Sequence, residues 1–175
     1  MKKIVLILSA ALLLAACGEK QENEKMKLQV SKEEQAAAMQ EVQAFIRDAG
    51  VYFIATEDGD QPQVRPFNSA EIIDGELYLL TGKKKDVFKQ LEKNGKFALV
   101  SLKYQPEMAV MRLTGTLQLV DDRHVQETFL ERNPMFSDSY QPGDDNMAMM
   151  RFTDVTVRYF AFPGPTEQCR TYFGL

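Results

Sequence analysis

Two short segments of the sequence carry residue types that bind anions. In Arg65-Pro66-Phe67-Asn68-Ser69, an arginine precedes a proline within an alternating, strand-like run. Proline lacks the N–H that the interior of a sheet uses, so this run is predicted to lie at a sheet edge or a barrel rim. At such a rim Arg65 could reach a ligand. The alternative is an edge strand with a solvated arginine.

The second segment joins a strand end at Thr81 to the start of a helical pattern. Three consecutive lysines, Lys83, Lys84 and Lys85, lie between them. Helix N-termini present free N–H groups and the positive end of the helix dipole, so lysines are unfavourable there unless an anion binds in front of them. A solvated charge run is the alternative, and for this segment alone it is favoured. Together with Arg65, however, the four cations predict a phosphate pocket.

The elements before the lysines are predicted to be one helix and three strands. A capping box from Ser31 to Glu34 and apolar residues at helical spacing predict an amphipathic helix over 32–49. Strands are predicted over 51–56, 63–70 and 77–81, with Asp-Gly turns between them. These strands would form a three-stranded meander.

The second half of the chain is also predicted to be rich in strands. A short helix over 83–94 leads to strands over 97–103 and 108–120, with Gly115 as a bulge or bend in the longer one. Asp121-Asp122 predicts the start of a helix that runs to about 133. After a loop over 134–146, residues 147–162 form the last long strand. Tight hairpins and many strands predict a small closed or split barrel.

Composition narrows the possible functions. The formal charge of the 175-residue chain is −4, which makes it a poor candidate for nucleic-acid binding. The two cysteines, Cys17 and Cys169, do not make a disulfide framework. One histidine, His124, and no closely spaced cysteine pair argue against a zinc site. Cys169 is predicted to be a plain buried thiol, with pairing between chains as the alternative.

The first residues are predicted to be an export signal. Met1-Lys2-Lys3 is a positive start, and the apolar run from Ile4 to Ala16 is shorter than the roughly 20 residues of a membrane-spanning helix. The run ends in Leu14-Ala15-Ala16-Cys17, which is similar to the lipobox of bacterial lipoproteins. The resemblance implies that residues 1–16 are removed and that Cys17 becomes the lipid-modified first residue. A plain secretory peptide is the alternative.

Residues 17–31 are predicted to be a flexible tether, because they offer little apolar surface to bury. The domain would then span 32–175. By resemblance to sorting patterns, Gly18 after the cysteine favours the outer membrane if the host is Gram-negative. We therefore expect a protein of the cell envelope that is lipid-anchored to a membrane.

A longer series of motifs points to a family. The stretches occur in this order: Tyr52-Phe53-Ile54-Ala55-Thr56, Asp58-Gly59, Val64-Arg65-Pro66-Phe67, Gly75-Glu76-Leu77-Tyr78-Leu79-Leu80-Thr81, Lys84-Lys85-Asp86-Val87, Lys89-Gln90-Leu91, Arg112-Leu113-Thr114-Gly115 and Asn133-Pro134. In their order and spacing they resemble the pyridoxamine 5′-phosphate oxidase-like superfamily. The resemblance is to its small single-domain branch, which also holds the nitroimidazole reductases.

The resemblance implies a mainly β (α+β) fold, a six-stranded antiparallel split β-barrel with a few flanking helices. It also implies FMN bound at a homodimer interface. Six residues would hold the cofactor: Arg65 at the phosphate, Pro66 and Phe67 along the flavin, Thr81 beneath the ribityl chain, and Lys84 and Lys85 at the phosphate. The true oxidases carry the basic pair about two positions later, so the choice among Lys83, Lys84 and Lys85 stays open.

The expected activity is FMN-dependent electron or hydride transfer to an unknown small molecule, with no catalytic residue identified. The sequence stops at Leu175, without the C-terminal extension of the true oxidases, so synthesis of pyridoxal phosphate is not expected. An exported protein also could not use cytosolic NAD(P)H. The alternative is a non-catalytic flavin or haem binder of the envelope, although a single histidine argues against haem.

Overall fold

The structure, a computed structural model, describes residues 20–164 and 169–175. The predicted export signal over 1–16 and the predicted anchor at Cys17 lie outside the described residues, as does the side chain of Cys169. The described chain divides into two units, one that ends at Lys32 and one over Glu33–Leu175. Within the described ranges, no helix is both long enough and apolar enough to span a bilayer.

Residues 20–29 are helical (α1), within the segment 17–31 that is predicted to be a flexible tether. This segment is rich in lysine, glutamate and glutamine, which are strong helix formers. Glu24 and Lys27 are three residues apart, a spacing that favours a helix through opposite charges. Its apolar residues Met26 and Leu28 remain 46% and 87% exposed. Low hydrophobicity thus argues against a packed core but not against a helix.

Helix α2 (Lys32–Ala49) has the predicted bounds. Its buried face consists of Ala38, Met39, Val42, Phe45 and Ile46. Gly50 follows with φ of +76°, and its N–H donates to the Ile46 carbonyl at 3.0 Å. This left-handed glycine satisfies a carbonyl that the helix end would otherwise leave without a partner.

Within the described residues, eight strands form one antiparallel sheet. They are β1 (Tyr52–Asp58), β2 (Gln61–Phe67), β3 (Glu71–Ile73), β4 (Glu76–Gly82), β5 (Lys96–Lys103), β6 (Ala109–Val120), β7 (Met147–Ala161) and β8 (Cys169–Phe173). Their order is β2-β1-β5-β6-β7-β4-β3, and β8 pairs with β7 outside this path. With its flanking helices, this sheet is the predicted mainly β, split-barrel type of fold.

The predicted three-stranded meander is wrong. Strand β2 pairs with β1 and ends at Phe67, whereas β4 pairs with β3 and β7 at the other end of the strand order. The chain leaves the sheet after Phe67, and the Tyr52 hydroxyl donates to the Ser69 carbonyl at 2.7 Å. Alternation of apolar residues shows which face of a strand is buried but does not identify the strand that it pairs with.

Two short strands, β3 and β8, were not predicted, so the described sheet has eight strands where six were expected. Strand β3 has three residues, too few for a clear period. Strand β8 follows the predicted last strand, and Val155 of β7 faces Phe173 of β8. The predicted bulge is confirmed, because the register between β6 and β7 shifts between Thr114 and Thr116, around Gly115.

Two further helices flank the sheet. Helix α3 (Asp86–Asn94) begins later than predicted, so the three lysines lie in the turn before it. Helix α4 (Arg123–Arg132) starts at Asp122 as predicted, and the Asp122 carboxylate accepts from the His124 and Val125 N–H groups. A 3₁₀ turn (Pro134–Phe136) opens the loop that leads to β7.

The sheet buries two apolar clusters. The larger lies between the inner face of the sheet, α2 and α3, and includes Leu79, Leu99 and Phe152. The smaller lies under α4 and includes Leu80, Phe129 and Tyr140. Because Leu79 and Leu80 are consecutive residues of β4, this strand separates the two clusters.

Candidate functional site

A groove of about 580 Å³ opens where the ends of β2 and β4 approach the start of α3. Residues 65–69 line it from β2 and the segment after β2, Leu80 lines it from β4, and Lys85 and Val87 line it from the start of α3. The loop after α4 contributes Phe136, Ser139, Tyr140 and Asn146. Its size falls within the range of about 300–1,000 Å³ that is usual for small-molecule sites.

Arg65 lies at the edge of the sheet, as predicted. Strand β2 is the end strand of the sheet, and Arg65 faces Ile54 of β1, whose side chain is fully buried. The guanidinium is half-buried, and its Nη1 donates to the Thr56 Oγ1 at 3.0 Å. The Thr56 hydroxyl in turn donates to the Gln90 Oε1 at 2.7 Å. These hydrogen bonds hold the Arg65 side chain in position at the groove.

The three lysines occupy different positions. Lys85 lines the groove, and its Nζ lies 6.0 Å from the centroid of the Tyr140 ring. Lys83 and Lys84 do not line the groove; their backbone N–H groups donate to the Asn146 carbonyl at 2.7 Å and to the Asn146 Oδ1 at 3.2 Å. Of the three lysines that were candidates for the phosphate contact, Lys85 lines the same groove as Arg65.

The start of α3 adds to the positive character of this corner. Lys85 is its N-cap and supplies no side-chain hydrogen bond to the first turn, where helical N–H groups lack intrahelical partners. Asp86 is the one carboxylate in this turn. The pKa of Asp86 lies below its usual value because Lys89 donates a hydrogen bond to this carboxylate and places a positive charge beside it. The charge of Arg65 lowers the pKa further, but more weakly. Its Oδ1 is 3.0 Å from the Lys89 Nζ, so Asp86 is already paired.

A hydrogen-bonded loop holds the lysine turn in place. The Asp144 carboxylate accepts from the backbone N–H groups of Gln141, Asn146 and Met147. Burial raises the pKa of Asp144, but these three donors outweigh it, and the net pKa lies below the usual value. The ordered loop presents Asn146, whose carbonyl and side chain bind the lysine turn.

Gly82 makes the close approach of loop and turn possible. A Cβ at this position would lie 3.0 Å from the Tyr140 hydroxyl and 3.2 Å from the Asn146 Oδ1. Those distances are tighter than ordinary van der Waals contact. Because Gly82 has no side chain, it leaves room for Tyr140 and Asn146 next to the three lysines.

Thr81 does not line the groove. It shares the inner face of β4 with Leu77 and Leu79, whereas Leu80, on the opposite face, is the β4 residue in the groove. The Thr81 Oγ1 is buried, and within the described ranges it has no hydrogen-bond partner. Thr81, like Lys84, therefore lies outside the lining of the groove.

Pro66 and Phe67 do line the groove. Pro66 is exposed, while Phe67 is half-buried and stacks on Tyr52 with 5.9 Å between ring centroids. Phe67 is therefore a rigid apolar wall beside Arg65. Aromatic and aliphatic surface next to a cationic end suits a ligand with a flat ring and a phosphate.

The remaining sequence candidates lie elsewhere. His124 is exposed on α4, with its Nε2 3.3 Å from the Asp74 Oδ2. Met147, Met149 and Met150 of β7 are buried, and methionines commonly fill gaps in a core. In the part of the chain that the structure describes, no cluster of three or more histidine, cysteine, aspartate or glutamate side chains could hold a metal ion.

Four residues of the site were missed by the sequence analysis: Thr56, Gln90, Tyr140 and Asn146. Tyr140 and Asn146 come from a loop more than 50 residues away from the lysines, so no local spacing connects them. Thr56 and Gln90 belong to regular elements, and their polarity at buried positions was the available signal. A buried threonine or glutamine needs a hydrogen-bond partner.

Comparisons with known proteins identify the family of the chain. The sequence profile described as pyridoxamine 5′-phosphate oxidase matches residues 38–161. No curated protein matches the chain.

Solved structures also match. A NimC/NimA family protein from Clostridium acetobutylicum is 30% identical, with a TM-score of 0.74, over 82% of this chain and 96% of that chain. General Stress Protein 26 from Bacillus anthracis is 16% identical, with a TM-score of 0.57, over 70% of this chain and 93% of that one. A heme binding protein from Mycobacterium smegmatis is 12% identical, with a TM-score of 0.59, over 77% and 57%. The last two share the fold alone.

Proposed function

Since the chain belongs to the pyridoxamine 5′-phosphate oxidase family, we propose that it binds FMN in the groove between Arg65 and Lys85 and transfers electrons or hydride to a small molecule. The observation that carries this proposal is the meeting of two cations, the start of α3 and an apolar lining in one groove. Bound FMN would supply the redox chemistry, and the protein would supply binding and orientation.

The phosphate end of the groove has suitable donors. Arg65 and Lys85 offer charge-assisted hydrogen bonds to a dianion, and the first turn of α3 offers backbone N–H groups. The described residues that line the groove include no carboxylate that would repel the phosphate. Asp86 lies nearby but is paired with Lys89.

The rest of the groove suits the ring of the cofactor. Phe67, Leu80 and Phe136 present apolar surface that excludes water and binds a flat aromatic system. No histidine or acidic side chain stands among the described lining residues as a general acid or base. We assign no catalytic residue.

The visible absorption spectrum of the purified protein tests the proposal. We expect a yellow protein whose supernatant after heat denaturation contains FMN, or a colourless protein that turns yellow and quenches flavin fluorescence when FMN is added. A colourless protein that leaves FMN fluorescence unchanged would contradict the proposal.

A second measurement separates an enzyme from a flavin carrier. Reduced protein-bound flavin is mixed with quinones or nitroaromatic compounds, and its reoxidation is followed at the flavin absorbance maximum. An enzyme reoxidises faster than free reduced FMN with at least one acceptor class. Rates no faster than those of free reduced FMN would favour binding without turnover.

We also propose that the protein is a homodimer. The outer face of the sheet carries exposed apolar residues in register: Phe53 faces Val100, and Ala55 faces both Val64 and Ala98. Phe53, Val64 and Val100 are 46%, 63% and 39% exposed. Contiguous exposed apolar surface of this kind is typical of an interface between proteins.

For the location of the protein, the lipobox-like sequence supports a lipid anchor at Cys17 in the cell envelope, in the outer membrane if the host is Gram-negative. An anchored protein would take its electrons from a membrane or envelope donor. The intact mass of the protein extracted from host membranes tests this proposal. A mass that retains residues 1–16, or one that lacks the added lipid on Cys17, would contradict it.

A further inference from the structure

Arg65 is held in the groove by a buried pair of polar side chains. Thr56 on β1 and Gln90 on α3 are 3% and 7% exposed, and both lie behind the guanidinium rather than in the groove. The Arg65 Nη1 lies 3.0 Å from the Thr56 Oγ1, and that oxygen lies 2.7 Å from the Gln90 Oε1. These contacts connect strand β2 to helix α3 through strand β1.

The direction of this chain of hydrogen bonds is determined by its members. A guanidinium only donates, and a threonine hydroxyl has a single hydrogen. Because the Thr56 hydrogen is donated to Gln90, a lone pair of Thr56 is left to face Arg65. The contact therefore orients the guanidinium and occupies one of its five N–H donors.

Gln90 adds a geometric constraint. It lies four residues after Asp86, the first residue of α3, and so on the same side of the helix. A hydrogen bond at Gln90 thus fixes Arg65 relative to the first turn of α3 and to Lys85. An arginine held in this way loses less conformational freedom when an anion binds.

We propose that Thr56 and Gln90 are positioning residues that preorganise Arg65 for the terminal phosphate of the flavin. This inference rests on the proposed function. It assigns to Thr56 and Gln90 a role in the affinity for phosphate, acting through Arg65 and not through contact with the ligand.

The alternative is that the pair only stabilises the packing of β1 on α3. The two roles differ in what they predict for riboflavin, which has the ring and ribityl chain of FMN but no phosphate. Loss of packing weakens FMN and riboflavin binding together, whereas loss of preorganisation weakens FMN binding alone.

The experiment titrates the full-length protein in detergent with FMN and with riboflavin, following quenching of flavin fluorescence. For Thr56→Val, which keeps the shape of the side chain and removes the hydroxyl, we expect the Kd for FMN to rise about three- to tenfold. The Kd for riboflavin should stay within about twofold, well inside that change. Thr56→Ser, which restores the hydroxyl, should bind FMN like the unsubstituted protein.

A double-substitution cycle isolates the role of Arg65. In an Arg65→Ala background, the further change Thr56→Val should leave FMN affinity unchanged, because there is no guanidinium left to orient. The inference would be overturned if Thr56→Val reduced FMN affinity by the same factor in the Arg65→Ala protein as in the unsubstituted protein. If Thr56→Val does not fold, Gln90→Met takes its place, with the same expectations for FMN and riboflavin.

Failure of the inference is distinguishable from failure of the proposed function. If the unsubstituted protein does not bind FMN, the proposed function falls and the inference with it. The inference alone is overturned if the unsubstituted protein binds FMN and Thr56→Val binds it equally well. It is also overturned if Thr56→Val weakens riboflavin binding as much as FMN binding.

Discussion

Lys84 and Lys85 are adjacent and both exposed, but only Lys85 lines the groove. Each substitution by alanine removes one positive charge from the same turn. We expect Lys85→Ala to raise the Kd for FMN about tenfold, the cost of a charge-assisted hydrogen bond, and Lys84→Ala to raise it by less than about threefold. Fluorescence titration of the two variants side by side makes this comparison, and equal effects would show that the lysines act only through their summed charge.

At the residue scale, the sequence predicted the cations but not their partners. Arg65 beside a proline and lysines before a helix are chemically unusual, so residue type alone singles them out. Thr81 does not line the groove, because one step along β4 moves a side chain to the opposite face, and its place beneath the ribityl chain stays a prediction. Asn146 could not be found, because it reaches the lysine turn from a loop that only the folded chain brings near.

At the scale of elements, the sequence predicted those features of helices and strands that depend on interactions between neighbouring residues. The bounds of α2, the cap at Asp122 and the bulge at Gly115 all depend on neighbouring residues or on a residue type with special backbone freedom. The pairing of β4 with β7 depends on residues about 70 positions apart. Nothing in the alternation of β4 distinguishes that partner from β2.

The loop around Asp144 gives a pH-dependent prediction for an element. The folded-state pKa of Asp144 is lowered, so its contribution to stability is complete above the unfolded value of about 3.9 and is lost as the pH falls through the folded value. We therefore expect the midpoint of thermal unfolding to fall as the pH is lowered from about 4 to about 2, and to fall less steeply in Asp144→Asn. Differential scanning calorimetry across this range measures both slopes.

The control for this experiment is Asp145→Asn. Asp145 is the next residue in the same loop and is exposed. It should follow the unsubstituted protein across the whole pH range. If Asp144→Asn and Asp145→Asn had the same slope, the backbone hydrogen bonds of Asp144 would not be the source of the pH dependence.

At the scale of the whole molecule, the sheet has two different faces. Its inner face buries the main core, while the outer face of β1, β2 and β5 leaves Phe53, Val64 and Val100 exposed. Arg112 and Arg158 border this apolar surface on β6 and β7, in register with Val100. A surface that is apolar in the centre and charged at its margin is typical of a protein interface.

This surface leads to a prediction about assembly. We expect the protein to sediment as a dimer, and Val100→Glu to shift it toward the monomer, because two symmetry-related carboxylates would be buried at the interface. Leu119→Glu is the matched control, since Leu119 is 45% exposed on β6 and lies outside the apolar surface of Phe53, Val64 and Val100. Analytical ultracentrifugation measures the shift. A protein that stays monomeric at all concentrations, or a dimer that Val100→Glu leaves intact while Leu119→Glu dissociates it, would show that the subunits associate through another surface.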